Sequence, residues 1–181
     1  VIDGRKTKTR RIVPQSVVDY YTYEAEDQTI IDAARYWVGE IVAVAQAYRD
    51  IDEYNPQSYE DVALDCGVIT SSGHPYSFLR KSAGWSNKMF VRAGLMPHQI
   101  RITDVNVERL QDISDKDCMK EGIFGIPTIY TYYGAISKKS GMQLHWTTPQ
   151  EAFAVLIDKV SGKGTWKSNP WVYAYSFELV K

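Results

Sequence analysis

Apolar positions along the chain recur with two different periods. From Trp171 onward, bulky Trp171, Tyr173, Tyr175, Phe177 and Leu179 alternate with Val172, Ala174, Ser176, Glu178 and Val180. A period of two predicts a strand with one bulky face. Gln99 to Leu110 alternates in the same way, but its apolar phase moves from Ile100 and Ile102 to Val105 and Val107, which predicts a strand with a bulge near Asp104. The run from Val38 to Tyr48 is apolar and rich in β-branched residues after a Gly39 turn, so it predicts a buried strand. Lys88 to Arg92 reads as a further strand, closed off by Gly94-Leu95-Met96-Pro97.

A helical period is rarer. Phe153, Leu156, Ile157 and Val160 make one apolar stripe behind the start signal of Thr148, Pro149 and Glu151, and Gly162 stops it. Ser114 and Asp117 form a capping pair that predicts a short helix from Asp115 to about Glu121, ended by Gly122. Glu121 then stands in the last turn, facing the negative end of the helix dipole at a cost of about 0.3 to 1 kcal/mol, so another group is expected to hold it there. Residues 49 to 88 are turn-rich, with a short helix opened by Ser58 and Asp61, and read as an insertion on a core fold.

Several strands, few helices and no alternation of strand and helix predict an α+β fold: a small mixed or antiparallel β-barrel with flanking short helices. With 181 residues, 44% hydrophobic and 24% charged, the chain is globular, and a disordered tail is excluded. One domain over 1–181 is expected. No apolar run reaches the roughly 18 residues of a membrane helix and no leader opens the chain, so a soluble, cytoplasmic protein is expected. Cys66 and Cys118 are far apart and read as reduced thiols. His74, His98 and His145 have no ligand spacing, so neither metal nor cofactor is expected. Walker, GxGxxG, HExxH and GxSxG motifs are absent.

The formal net charge of −1 hides an asymmetry. Residues 24 to 65 hold eleven acids against Arg35 and Arg49, whereas the rest of the chain holds nineteen bases against eleven acids. Five cations fall within seven residues near the start: Arg5, Lys6, Lys8, Arg10 and Arg11. Such a turn can grip phosphates, and it can equally be a solvated basic loop.

Three blocks carry a resemblance: Asp3 to Ile12 (DGRKTKTRRI), Ile100 to Ile113 (IRITDVNVERLQDI) and Gly164 to Tyr173 (GTWKSNPWVY). In order and spacing they resemble the ASCH domain family, especially its phage and prophage members. Val38-Gly39-Glu40 resembles the family's turn into its next strand, where Gly-Asp is commoner. The resemblance implies a PUA-like β-barrel with a cleft, a fold shared with domains that bind RNA and modified bases. It also implies a strand and most of a helix before Gly4, so that the chain begins late relative to the family, and insertions at about 49–88 and 123–146.

Three functional readings follow. In the first, the chain binds RNA or a nucleoside: Arg5, Lys6, Lys8, Arg10 and Arg11 hold phosphate, while Trp166, Tyr132 and Trp146, with Tyr130 and Tyr133, stack bases. Those rings serve equally well as packing. In the second, the resemblance implies an amidohydrolase acting on N4-acetylcytidine through Lys6, Thr9 and Glu121. A lysine of lowered pKa can take the proton of a threonine hydroxyl, and a glutamate can orient that lysine or protonate the leaving amine. A third reading makes the acidic segment 24–65 or the tyrosine-rich stretch 128–133 a protein-docking surface.

Overall fold

The computed structural model describes residues 4, 6–21, 27–51, 54, 77–126, 132–137 and 141–180. The chain forms two compact units, one from Val1–Ile41 with Arg101–Val180 and the other from Val42–Ile100. Among the described residues no helix is long and apolar enough to cross a membrane.

The first unit is α+β. Strand β1 (Lys8–Ile12) pairs antiparallel with β7 (Trp171–Leu179), Thr9 lying opposite Tyr175 and Arg11 opposite Tyr173. With β2 (Ile41–Ala43) and β3 (Gln99–Arg109) they make a curled antiparallel half-barrel in the order β1-β7-β3-β2. A second antiparallel sheet, β4 (Phe124–Ile126), β5 (Tyr132–Ser137) and β6 (Gly141–Trp146), occupies the stretch 123–146. The helices are α1 (Gln15–Tyr21), α2 (Asp27–Asp32), α3 (Asp115–Lys120), α4 (Pro149–Ser161) and α5 (Thr165–Ser168).

Two helix starts form as their sequences predict. Thr148 Oγ1 accepts from Glu151 N at 3.2 Å while Glu151 Oε2 accepts from Thr148 N at 3.2 Å, a closed capping box. Ser114 Oγ accepts from Asp117 N at 3.2 Å to open α3, and Gly122 follows with φ 101°. Phe153 and Ile157 of α4 enter a core with Leu110, Ile113, Cys118, Ile123, Ala152 and Val172, against which Leu156 packs. Val160 is exposed instead, because it lies a turn beyond Ile157, past the end of that cluster.

Three strand expectations change. Only Ile41–Ala43 of the run from Val38 to Tyr48 pairs as strand; Val38 and Ile41 are exposed, and Tyr48 opens a 3-10 turn. The run divides because Gly39 adopts φ 90° and because its far end, Ala47 and Tyr48, is buried in the other unit. Lys88 to Arg92 is not a strand: Asn87 Oδ1 accepts from Met89 N at 3.0 Å and starts a 3-10 turn over Lys88–Phe90. In β7 the bulky face is buried at Tyr173, Tyr175 and Phe177, but Val172 and Ala174 are buried too, since this inner strand is covered on both sides. In β3 burial skips from Ile102 to Val105, three positions on, which is the phase change read from the sequence.

The second unit is built from short 3-10 turns at Tyr48–Asp50, Ser77–Lys81, Ala83–Trp85, Lys88–Phe90 and Ala93–Leu95. Tyr48, Ile51, Tyr54, Leu79 and Met96 form its core, with Trp85, Val91 and Leu95 packed on them. Tyrosine hydroxyls tie the turns together: Tyr48 Oη accepts from Arg92 N at 2.9 Å and Tyr54 Oη donates to Leu95 O at 2.5 Å. The helix expected at Ser58 lies outside the described residues.

Candidate functional site

Alternation along β1 sends its even and odd residues to opposite faces of the sheet. Lys6, Lys8 and Arg10 reach α3. Lys6 Nζ donates to Glu121 Oε2 at 2.8 Å and to the Glu121 carbonyl at 3.0 Å. Lys8 Nζ donates to Asp117 Oδ2 at 3.0 Å. Arg10 donates through NH1 to Glu121 Oε1 at 3.1 Å and through Nε to Glu108 Oε1 at 2.8 Å. The repeats match: two strand residues advance about 6.6 Å and four helical residues about 6 Å, so Lys8 and Lys6 meet Asp117 and Glu121 as a ladder. The partner that the dipole argument requires for Glu121 is thus Arg10 together with Lys6.

Burial makes this ladder costly and specific. The Arg10 side chain is 1% exposed and that of Glu121 4%, whereas that of Lys6 is 32% exposed. Burial pushes the Asp117 carboxyl up, but its hydrogen bonds and charge contacts with Lys8 and Lys120 outweigh this and hold it below the usual 3.8. Cys118, on α3 between them, is fully buried; desolvation, helped by the surrounding carboxylates and opposed by Arg10, pushes its thiol to about 12. It is a packing residue.

The odd face is different. Thr9 Oγ1 accepts from Arg11 NH1 at 2.8 Å. Arg11 lines a cleft of about 250 Å³ together with Arg35, Tyr36, Tyr173 and Tyr175, with Pro14 and Ile12 at its side. The Tyr175 hydroxyl lies against the backbone of Tyr36 and Arg35, and burial is the chief cause that raises its pKa. Tyr36 and Tyr175 meet edge to face at 5.7 Å, and the Arg35 guanidinium lies 5.3 Å from the centre of the Tyr36 ring. The segment after α2 is thereby moored to β7 by a buried tyrosine.

Of the residues expected to hold phosphate, Lys6, Lys8 and Arg10 are committed to carboxylates and Arg11 borders the cleft; Arg5 lies outside the described residues. Of the expected catalytic set, Lys6 and Glu121 are in contact, while Thr9 belongs to the other face of β1. Trp166, Trp146 and Tyr133 pack on the first unit's hydrophobic core, Trp166 edge to face with Phe153 at 6.2 Å. Tyr130 and the side chain of Tyr132 lie outside the described residues. Sequence reasoning passed over Arg35, Tyr36, Tyr173 and Tyr175 as site residues. The alternation of Tyr173 and Tyr175 was visible, yet only their register against Thr9 and Arg11 turns a packing face into a lining.

Among the described residues no group of three or more His, Cys, Asp or Glu is placed to hold a metal ion. No family model, curated protein or solved structure matches the chain.

Proposed function

We propose that the chain is a PUA-like barrel of the ASCH type whose cleft binds the base of a nucleotide, a modified nucleoside or an exposed RNA residue, in the cytoplasm. The observation that carries this reading is the lining of Arg11, Arg35, Tyr36, Tyr173 and Tyr175. The partly exposed Tyr36 ring can stack a base irrespective of its identity, the buried Tyr173 and Tyr175 form the floor beneath it, and guanidinium groups both stack and pair with phosphate. At about 250 Å³ the cleft is smaller than the roughly 300 to 1,000 Å³ of drug-sized ligand sites, which favours one base over several. Calorimetric titration with cytidine, N4-acetylcytidine and cytidine monophosphate tests it. Arg11→Ala and Tyr36→Ala should weaken binding, and Lys8→Ala should not; absence of heat with all three ligands at millimolar concentration defeats the reading.

A second reading, amide hydrolysis of an acylated cytidine, draws support from the 2.8 Å contact between Lys6 and Glu121. In that chemistry the Thr9 oxygen bonds to the acyl carbon, its proton passes to Lys6, and the C–N bond breaks with a proton delivered to the departing amine; water then cleaves the ester. Lys6 and Thr9 look to opposite sides of β1, so the arrangement favours binding over turnover. Acetate release from N4-acetylcytidine that is lost in Thr9→Ala would reverse that preference.

A further inference from the structure

Residues 66 to 103 contain no Asp or Glu but hold Arg80, Lys81, Lys88, Arg92 and Arg101. The first four belong to the turns of the second unit, which sort their side chains by environment. Leu79, Trp85, Val91, Leu95 and Met96 face the small core. Arg80, Lys81, Lys88 and Arg92 are exposed, and between the last two stand Met89 at 79% and Phe90 at 64% exposure. Among the described residues no carboxylate pairs with Lys81, Lys88 or Arg92; Arg80 lies over the Trp85 ring at 5.6 Å.

We infer that the exposed turns of the second unit over residues 81–92 carry a binding surface for single-stranded nucleic acid, with Lys81, Lys88 and Arg92 on phosphates and Phe90 stacked on a base. The cations of the acid-free stretch 66–103, rather than the unit's overall charge, select a polyanion, and an exposed ring beside cations suits a strand tracked by alternate phosphate and base contacts. An anionic membrane is the weaker match, because Met89 and Phe90 alone offer little apolar area to bury in lipid compared with an amphipathic helix face. The inference does not rest on the cleft of the first unit, which reads one base.

The test is fluorescence anisotropy of the full chain with a labelled oligouridylate of about a dozen nucleotides, between about 50 and 200 mM salt. Wild-type protein should bind, with affinity falling as salt rises. Lys81→Gln/Lys88→Gln/Arg92→Gln should flatten the slope of log affinity against log salt by about 2, at roughly 0.7 per phosphate contact. Phe90→Ala should lose about 5- to 150-fold in affinity with the slope kept, and Phe90→Trp should restore it. All these side chains are exposed, so circular dichroism should be unchanged. Failure to bind at about 50 mM salt, or variants with wild-type affinity and slope, overturns the inference. Preference for phosphatidylserine vesicles over the oligonucleotide overturns it in favour of a membrane. The same variants should leave mononucleotide binding at the cleft intact, so either site can fail alone.

Discussion

Replacing Arg10 by Met probes the ladder at its most buried rung. The Arg10 side chain is 1% exposed and ends on Glu121, itself 4% exposed, and on Glu108. Removing one member of a buried ion pair typically costs about 3 to 5 kcal/mol, because the remaining charge is left without water or partner. Glu121 would keep Lys6 at 2.8 Å and Glu108 is partly exposed, so the lower end, about 3 kcal/mol, is expected. In a chain of this length that is a melting shift of about 6 to 12 °C. Urea unfolding followed by far-ultraviolet circular dichroism gives the midpoint, and an unchanged slope would show that the denatured state is unaltered. Glu121→Leu should also destabilise. The double variant, which leaves neither charge stranded, should lose less than the summed singles by about 1 to 3 kcal/mol. An Arg10→Met cost below about 1 kcal/mol, or strict additivity in the cycle, would refute the claim that the pair is buried and coupled.

Acid should weaken the same region. The folded Asp117 carboxyl titrates below its ordinary 3.8, so its pairing stabilises the protein above that value and is lost as pH falls through the depressed folded pKa. The gap in urea midpoint between wild type and Asp117→Asn should therefore be full near neutrality and close in strong acid; a gap that widens on acidification contradicts this sign. Cys118, buried and with its thiol pushed to about 12, should resist iodoacetamide in native protein at pH 8 and react on unfolding, as peptide mass spectrometry will read. Gly84→Ala should destabilise the second unit by about 1 to 3 kcal/mol. A methyl there would stand 2.5 Å from Tyr48 Cε2 and 2.9 Å from Phe90 O. Faster amide exchange across residues 79–96, with the first unit unaffected, is the expected signature.

Legibility varied with the range of the interactions that decide each element. Helices α3 and α4 were readable because their caps are local: Ser114 with Asp117, and Thr148 with Glu151, each lie three residues apart. Strand β7 was readable from its period, and its burial on both sides was not, since that depends on neighbours far away in the chain. The run from Val38 to Tyr48 misled because one apolar stretch serves two units in turn. Around the site, the cationic turn and Glu121 were visible as separate features, and the dipole argument correctly demanded a partner for the carboxylate. Pairing Lys6, Lys8 and Arg10 with α3 required a match between strand and helix repeats that no local motif announces. Arg35 and Tyr36 join the cleft through contact with Tyr175, some 140 residues further along the chain.

Strand β1 works as a partition, and this constrains how the protein can change. Substitutions at Thr9 or Arg11 can alter the tyrosine-lined side while leaving the buried charges undisturbed, since those hang from the intervening positions. Loss or gain of a single residue in the strand would be far worse than any one replacement. It would turn the cations toward the tyrosines and the threonine toward Asp117 and Glu121, exchanging the two sides at a stroke.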